Sequence, residues 1–156
     1  MVSEGFKSPY LDSSVFIAFI KDEVVEGVKR GQIAERLFAL AGKGDILIYT
    51  AAITLAEVHK LRKGPPLDAD KGESILAFFE HDYIKLVDVD RKIGEHANRL
   101  CRQFGLYPND AIHLACALRA GCDVLFAWDD RFTRAENPGI RIEEPTVAQQ
   151  ALDLRE

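Results

Sequence analysis

The stretch Tyr107–Phe132 (YPNDAIHLACALRAGCDVLFAWDDRF) constrains the fold more than any other part of the chain. A turn, Tyr107-Pro108-Asn109, leads into Asp110, and from Ala111 to Leu118 only His113 is strongly polar. A helix that is apolar on nearly every side is a buried helix. Gly121 is a good left-handed residue on which to end it. The apolar run Val124–Ala127 then reads as a short strand that ends at Asp129-Asp130. A buried helix with a carboxylate at its mouth, followed by a strand ending in carboxylates, has the makings of an acidic active site, provided the rest of the chain supplies more acids.

The rest of the chain repeats the alternation of strand and helix. Residues 1–8 read as a loose leader, and 9–156 as one domain. Pro9-Tyr10-Leu11 is a short strand ending at Asp12, with Ser13 and Ser14 as caps for a helix over Val15–Ile20. Lys21–Arg30 is charged, carries Gly27, and reads as a loop or frayed helix. Gln32–Ala41 has helical apolar spacing, and Ile46–Tyr49 is a second strand. Thr50 caps a third helix running to about Arg62, where Gly64-Pro65-Pro66 stops it. Helices over Asp68–Phe79 and Asp90–Phe104 flank a strand at Ile84–Val87. Ile140–Ile142 is one more strand, and Thr146-x-x-Gln149 is a capping-box pattern for a last helix.

This order implies an α/β domain with a mainly parallel sheet. In such sheets ligands bind at the carboxyl ends of the strands. Asp12 and Asp129 each follow a strand, so both lie at that edge. Asp110 opens the helix leading into the strand at Val124 and belongs there too. Glu57, about two turns into the helix after the second strand, leans toward the same edge.

Composition narrows the classes. At 156 residues the chain has one domain's length and room for a real core. No apolar run reaches the length of a membrane span, and the first residues lack a signal-peptide layout. Three cysteines without C-x-x-C spacing read as free thiols in a reducing cytoplasm. The net charge of −5 argues against constitutive nucleic-acid binding through a basic face, but suits clustered catalytic acids and a basic partner.

Carboxylates gathered without a cation raise one another's pKa. A cluster that stays ionised therefore calls for a metal, and all-oxygen donors select Mg²⁺ or Mn²⁺. Metal-dependent phosphodiester hydrolysis is the matching reaction, with water as nucleophile. Taken singly, Asp12 reads equally as a helix cap, and Asp129 and Asp130 equally as turn residues. Asp110 could be a first-turn acid favoured by the helix dipole. It is the joint placement that points to a site. His113 reads first as a hydrogen-bonded core histidine. Lys60, Arg62 and Lys63 read as a solvated helix end. Arg131 and Arg134 are placed to meet substrate phosphates.

These residues resemble the PIN domain family, and in particular its small VapC-like toxins. The matching pieces are Tyr10-Leu11-Asp12-Ser13-Ser14-Val15-Phe16-Ile17, Thr54-Leu55-Ala56-Glu57-Val58, Asn109-Asp110-Ala111-Ile112-His113-Leu114-Ala115 and Leu125-Phe126-Ala127-Trp128-Asp129-Asp130-Arg131-Phe132, in the family's order. The resemblance implies a three-layer α/β/α sandwich and a Mg²⁺- or Mn²⁺-dependent ribonuclease acting on RNA. It makes Asp12, Glu57, Asp110 and Asp129 the metal-binding acids, with Ser13 orienting the first. It also implies a homodimer and a cognate antitoxin. The fourth motif has Ala127 where the family commonly has Thr or Ser, which weakens support for Asp129 and makes Asp130 a substitute ligand. The alternative reading is a PIN-like RNA- or protein-binding module with little or no catalysis.

Overall fold

The computed structural model describes residues 5–128 and 130–145. Five strands form one parallel sheet in the order β5-β4-β1-β6-β7. They are β1 (Pro9–Leu11), β4 (Ile48–Ala51), β5 (Ile84–Val87), β6 (Val124–Phe126) and β7 (Arg141–Glu143). A separate antiparallel hairpin joins β2 (Val24–Val25) to β3 (Val28–Lys29). The helices are α1 (Ser13–Lys21), α2 (Arg30–Gly42), α3 (Ile53–Glu57), α4 (Ala69–Phe78), α5 (Arg91–Phe104) and α6 (Pro108–Arg119).

Alternation along the strands divides the core into two halves, because successive side chains point to opposite faces of a sheet. Leu11, Ile48, Val124 and Phe126 face α1 and α2, packing on Val15, Phe16, Leu37 and Phe38. Tyr10, Ala51 and Leu125 face α5 and α6, packing on Ile93, Leu100, Ala111 and Leu114. The result is the expected three-layer sandwich. Its α6 side is built from small residues, Ala111, Ala115, Cys116 and Ala117, all fully buried. Burial pushes the Cys116 thiol up to about 11 and the Cys122 thiol up to about 12, so both stay protonated and unreactive. No described helix is long and apolar enough to cross a membrane.

Four local readings change. Within Lys21–Arg30, β2 and β3 form a hairpin, not a loop or frayed helix. Glu26 and Gly27 both have positive φ, 50° and 79°, as a two-residue turn requires; the valines on either side supply the β-branched strand signal. The second strand starts two residues later than expected, at Ile48. Thr50 therefore lies inside β4, where its hydroxyl donates to the Leu11 carbonyl at 2.7 Å, and does not cap a helix. The third helix is only five residues long and ends at Glu57. Beyond it the chain folds back through the first proline: Lys60 pairs with Pro66, and Arg62 adopts φ 58°. The loose leader narrows as well. Lys7 and Ser8 donate backbone N–H groups to Asp123, and Phe6 packs edge-on against Phe126. The helix expected from Thr146 lies outside the described residues.

Candidate active site

The parallel register fixes the site's floor. Leu11 pairs with Phe126, so β1 and β6 end side by side and Asp12 N–H donates to the Phe126 carbonyl. Asp12 is the N-cap of α1, with extended backbone. Its Oδ1 accepts from the Ser14 backbone N–H at 3.1 Å and from the Ser14 hydroxyl. Ser14 is thus the hydroxyl residue that holds Asp12, and Ser13 lies buried next to it. The other oxygen, Oδ2, is buried and has no hydrogen-bond partner. Arg131 Nη1 lies 3.6 Å from it.

Asp110 enters from the other side, in the first turn of α6, and is 7 % exposed. Pro108 at the start of that helix supplies a preset φ and needs no hydrogen-bond partner. Glu57, at the last residue of α3, is partly exposed, and its Oε1 lies 2.7 Å from His113 Nε2. The far side of the His113 ring, Nδ1, meets the Tyr10 hydroxyl at 2.7 Å. His113 is fully buried. It is the hydrogen-bonded core histidine that the sequence suggests, and it also touches an acid of the site. The sequence signal was its spacing of three from Asp110, which puts both on one helix face.

The electrostatics agree with the burial. Loss of solvent pushes the Asp12 carboxyl above its ordinary range; the His113 and Arg131 charges and the Ser14 hydrogen bond oppose this without overcoming it. Burial likewise raises Asp110, with Asp12 and Glu57 adding repulsion and Arg131 opposing. Burial also lifts the Tyr10 phenol well above its usual value. Three acids therefore sit within electrostatic reach of one another, and two of them carry a cost for staying ionised.

The outer parts are less uniform. Asp129 lies outside the described residues. Asp130 is exposed, and its carbonyl starts a turn by accepting from Thr133. Arg134 donates to the Gly105 carbonyl at 3.3 Å, close to the mouth of α6. Among the described residues, no three His, Cys, Asp or Glu side chains close into a group ready to hold a metal ion. The donors present still fit a hard cation: they are carboxylate oxygens, and the buried Asp12 Oδ2 lacks a donor.

The PIN domain family model matches residues 10–138. The chain belongs to the PIN domain family. Solved structures agree on the fold. One is VapC20 of Mycobacterium tuberculosis, described as a Sarcin-Ricin loop cleaving toxin, with a TM-score of 0.61 at 22 % identity, covering 81 % of this chain and 94 % of that one. VapBC2 of Rickettsia felis, solved with a fragment of promoter DNA, gives 0.61 at 20 %, covering 88 % and 98 %. VapBC-1 of nontypeable Haemophilus influenzae gives 0.60 at 18 %, covering 89 % and 98 %. Among curated proteins no relative matches. The PIN sandwich thus places Asp12 and Asp110 at one edge of its sheet, with Glu57 within electrostatic reach of both and in contact with His113.

Proposed function

We propose that this PIN protein is a metal-dependent endoribonuclease that hydrolyses RNA phosphodiester bonds as the toxin of a toxin–antitoxin pair. The observation that carries the reading is Asp12. It is completely buried, has one oxygen without a donor, and is raised in pKa beside a second raised acid. A fold retains such an arrangement when something outside the chain neutralises it.

Asp12, Glu57, Asp110 and Asp129 would hold Mg²⁺ or Mn²⁺. A divalent ion bound there neutralises charge on the phosphate and lowers the pKa of the attacking water. The chain's own residues arrange the rest. Ser14 fixes the direction of Asp12, and Arg131, beside Asp12 and partly exposed, can turn to a substrate phosphate. Arg134 at the mouth of α6 meets a neighbouring phosphate, and exposed Asp130 stands as a reserve acid. No side-chain nucleophile is needed. A basic antitoxin partner suits the net charge of −5, and relatives of this fold include toxin–antitoxin complexes. The homodimer and the cytoplasmic location rest on the family resemblance and on the free thiols.

Asp110→Asn is expected to keep the fold, seen by circular dichroism, and to abolish Mn²⁺-dependent RNA cleavage. Undiminished cleavage by that variant would sink the assignment. The second reading, a binding module with little catalysis, is favoured by Ala127, which brings no hydroxyl to the end of β6. RNA binding without cleavage in the unaltered protein, at saturating Mn²⁺, selects it.

A further inference from the structure

Resting on that reading of the site, we infer that His113 is a positioning residue, which fixes the Glu57 carboxylate and is itself fixed from the sheet by Tyr10. The need for such a device follows from α3. This helix is five residues long, and only Thr54 in it is buried. Glu57 is its last residue, so the short helix alone does not define where a carboxylate on a flexible stem will lie. The cost of ordering such a side chain is real and has to be met by a contact.

His113 makes that contact from a rigid base. The ring is fully buried in α6, three residues after Asp110, so one helix face carries an acid of the site and the group that holds another. Tyr10, in the central strand β1, is also fully buried and meets the ring edge-on, with centroids 5.8 Å apart. The donor pattern is determined by chemistry. An ionised carboxylate only accepts, so the proton facing Glu57 sits on Nε2, while Nδ1 shares a hydrogen bond with the Tyr10 hydroxyl. The two 2.7 Å contacts fix one ring orientation.

Two consequences follow. Glu57 Oε1 takes the imidazole hydrogen bond, which sets the direction the carboxylate faces toward a cation. The root of α3 is also pinned to β1: Thr54 shares a hydrogen bond of 2.7 Å with Thr50, whose hydroxyl donates to the Leu11 carbonyl. Hydrogen bonds thus link sheet, α3 and α6 around Glu57, a support of the kind that orients metal-binding side chains elsewhere.

The test compares His113→Gln with His113→Asn in calorimetric titrations with Mn²⁺, beside thermal melts of the metal-free proteins. The glutamine amide reaches the place of Nε2, whereas the shorter asparagine amide reaches only that of Nδ1. His113→Asn is expected to lose about 10–100-fold in Mn²⁺ affinity, and His113→Gln to recover most of it. Unchanged affinity in both variants overturns the inference, as does equal loss in both that follows their melting temperatures. Imidazole ¹⁵N spectra of the metal-free protein give a readout independent of the metal. Nε2 is expected to carry the proton, and its resonance to move in Glu57→Ala; a resonance that stays put overturns the inference. Should the unaltered protein bind no Mn²⁺, the proposed function fails, and the ¹⁵N spectra still decide the role of His113.

Discussion

Helix α1 has a nearly inaccessible carboxylate at each end, and the two live in opposite electrostatic worlds. Glu23, just beyond its C-terminal end, is 7 % exposed. Burial alone would raise it, but the Arg62 guanidinium, bonded at 3.0 and 2.9 Å, and then Arg30 at 3.3 Å hold it below the usual carboxylate range. Asp12, at the N-terminal end, has His113, Ser14, a more distant Arg131 and the helix dipole in its favour, yet burial still leaves it above its usual range. The chain outweighs the cost of burial at one end and falls short of it at the other. A buried acid that is paired within the chain serves the fold; one left short of charge is set up for a cation from outside. Trp128 stands between the two regions: its backbone N–H lies 3.4 Å from the Ser14 hydroxyl, and Arg30 stacks on its ring at 5.2 Å.

The contrast can be broken by substitution. The largest effect is the loss of Mn²⁺-dependent cleavage in Asp110→Asn, by orders of magnitude, with the fold intact. Next comes Glu23→Gln, which leaves two guanidinium groups without their carboxylate. It is expected to destabilise the protein by about 3 kcal/mol, on the order of 10 °C in Tm. Asp12→Asn works the other way. In metal-free protein it is expected to stabilise by about 1 kcal/mol, roughly 3 °C, because it removes a charge that burial penalises. Equal losses in the Glu23 and Asp12 variants would erase the distinction between the two ends.

The pH dependence sharpens the same comparison, since the two shifts have opposite signs. Asp12 is raised, so its contribution to stability is fully present below the ordinary aspartate value of about 3.9 and is lost as pH rises through the raised value. The advantage of Asp12→Asn therefore appears toward neutral pH and vanishes in acid. Glu23 is lowered, so its contribution is present above the ordinary glutamate value of about 4.3 and is lost as pH falls through the lowered one. The penalty of Glu23→Gln accordingly shrinks in acid. Melting curves of the metal-free proteins from about pH 3 to about pH 8 check both signs.

The layered architecture was legible in the sequence because strand order and helix periodicity agree from Pro9 to Ile142. So was the convergence of Asp12 and Asp110 on one edge, since parallel strands put every strand end and helix start on the same side. Three things were not. Gly27 reads as a breaker, but its φ of 79° is the second position of a hairpin turn, and only the flanking valines hint at it. Thr50 satisfies a capping pattern, yet tertiary pairing with Val87's neighbour Leu86 keeps it in β4. Arg62 reads as a solvated helix end, because its partner Glu23 is 39 residues away and no local pattern links them. His113 is the instructive case. Its spacing of three from Asp110 puts both on one helix face, but Glu57 and Tyr10 come from two other elements, so its bridging contacts exist only in the fold.

Calorimetric titration of the metal-free protein with Mn²⁺ tests the central claim most directly, that the acids at the N-terminal end of α1 await a cation the chain does not provide. Saturable binding is expected in the unaltered protein, weakened at least about 10-fold in Asp110→Asn and unchanged in Glu23→Gln at a temperature where that variant is folded. An absence of binding at millimolar Mn²⁺, or binding that Asp110→Asn leaves intact, would contradict it.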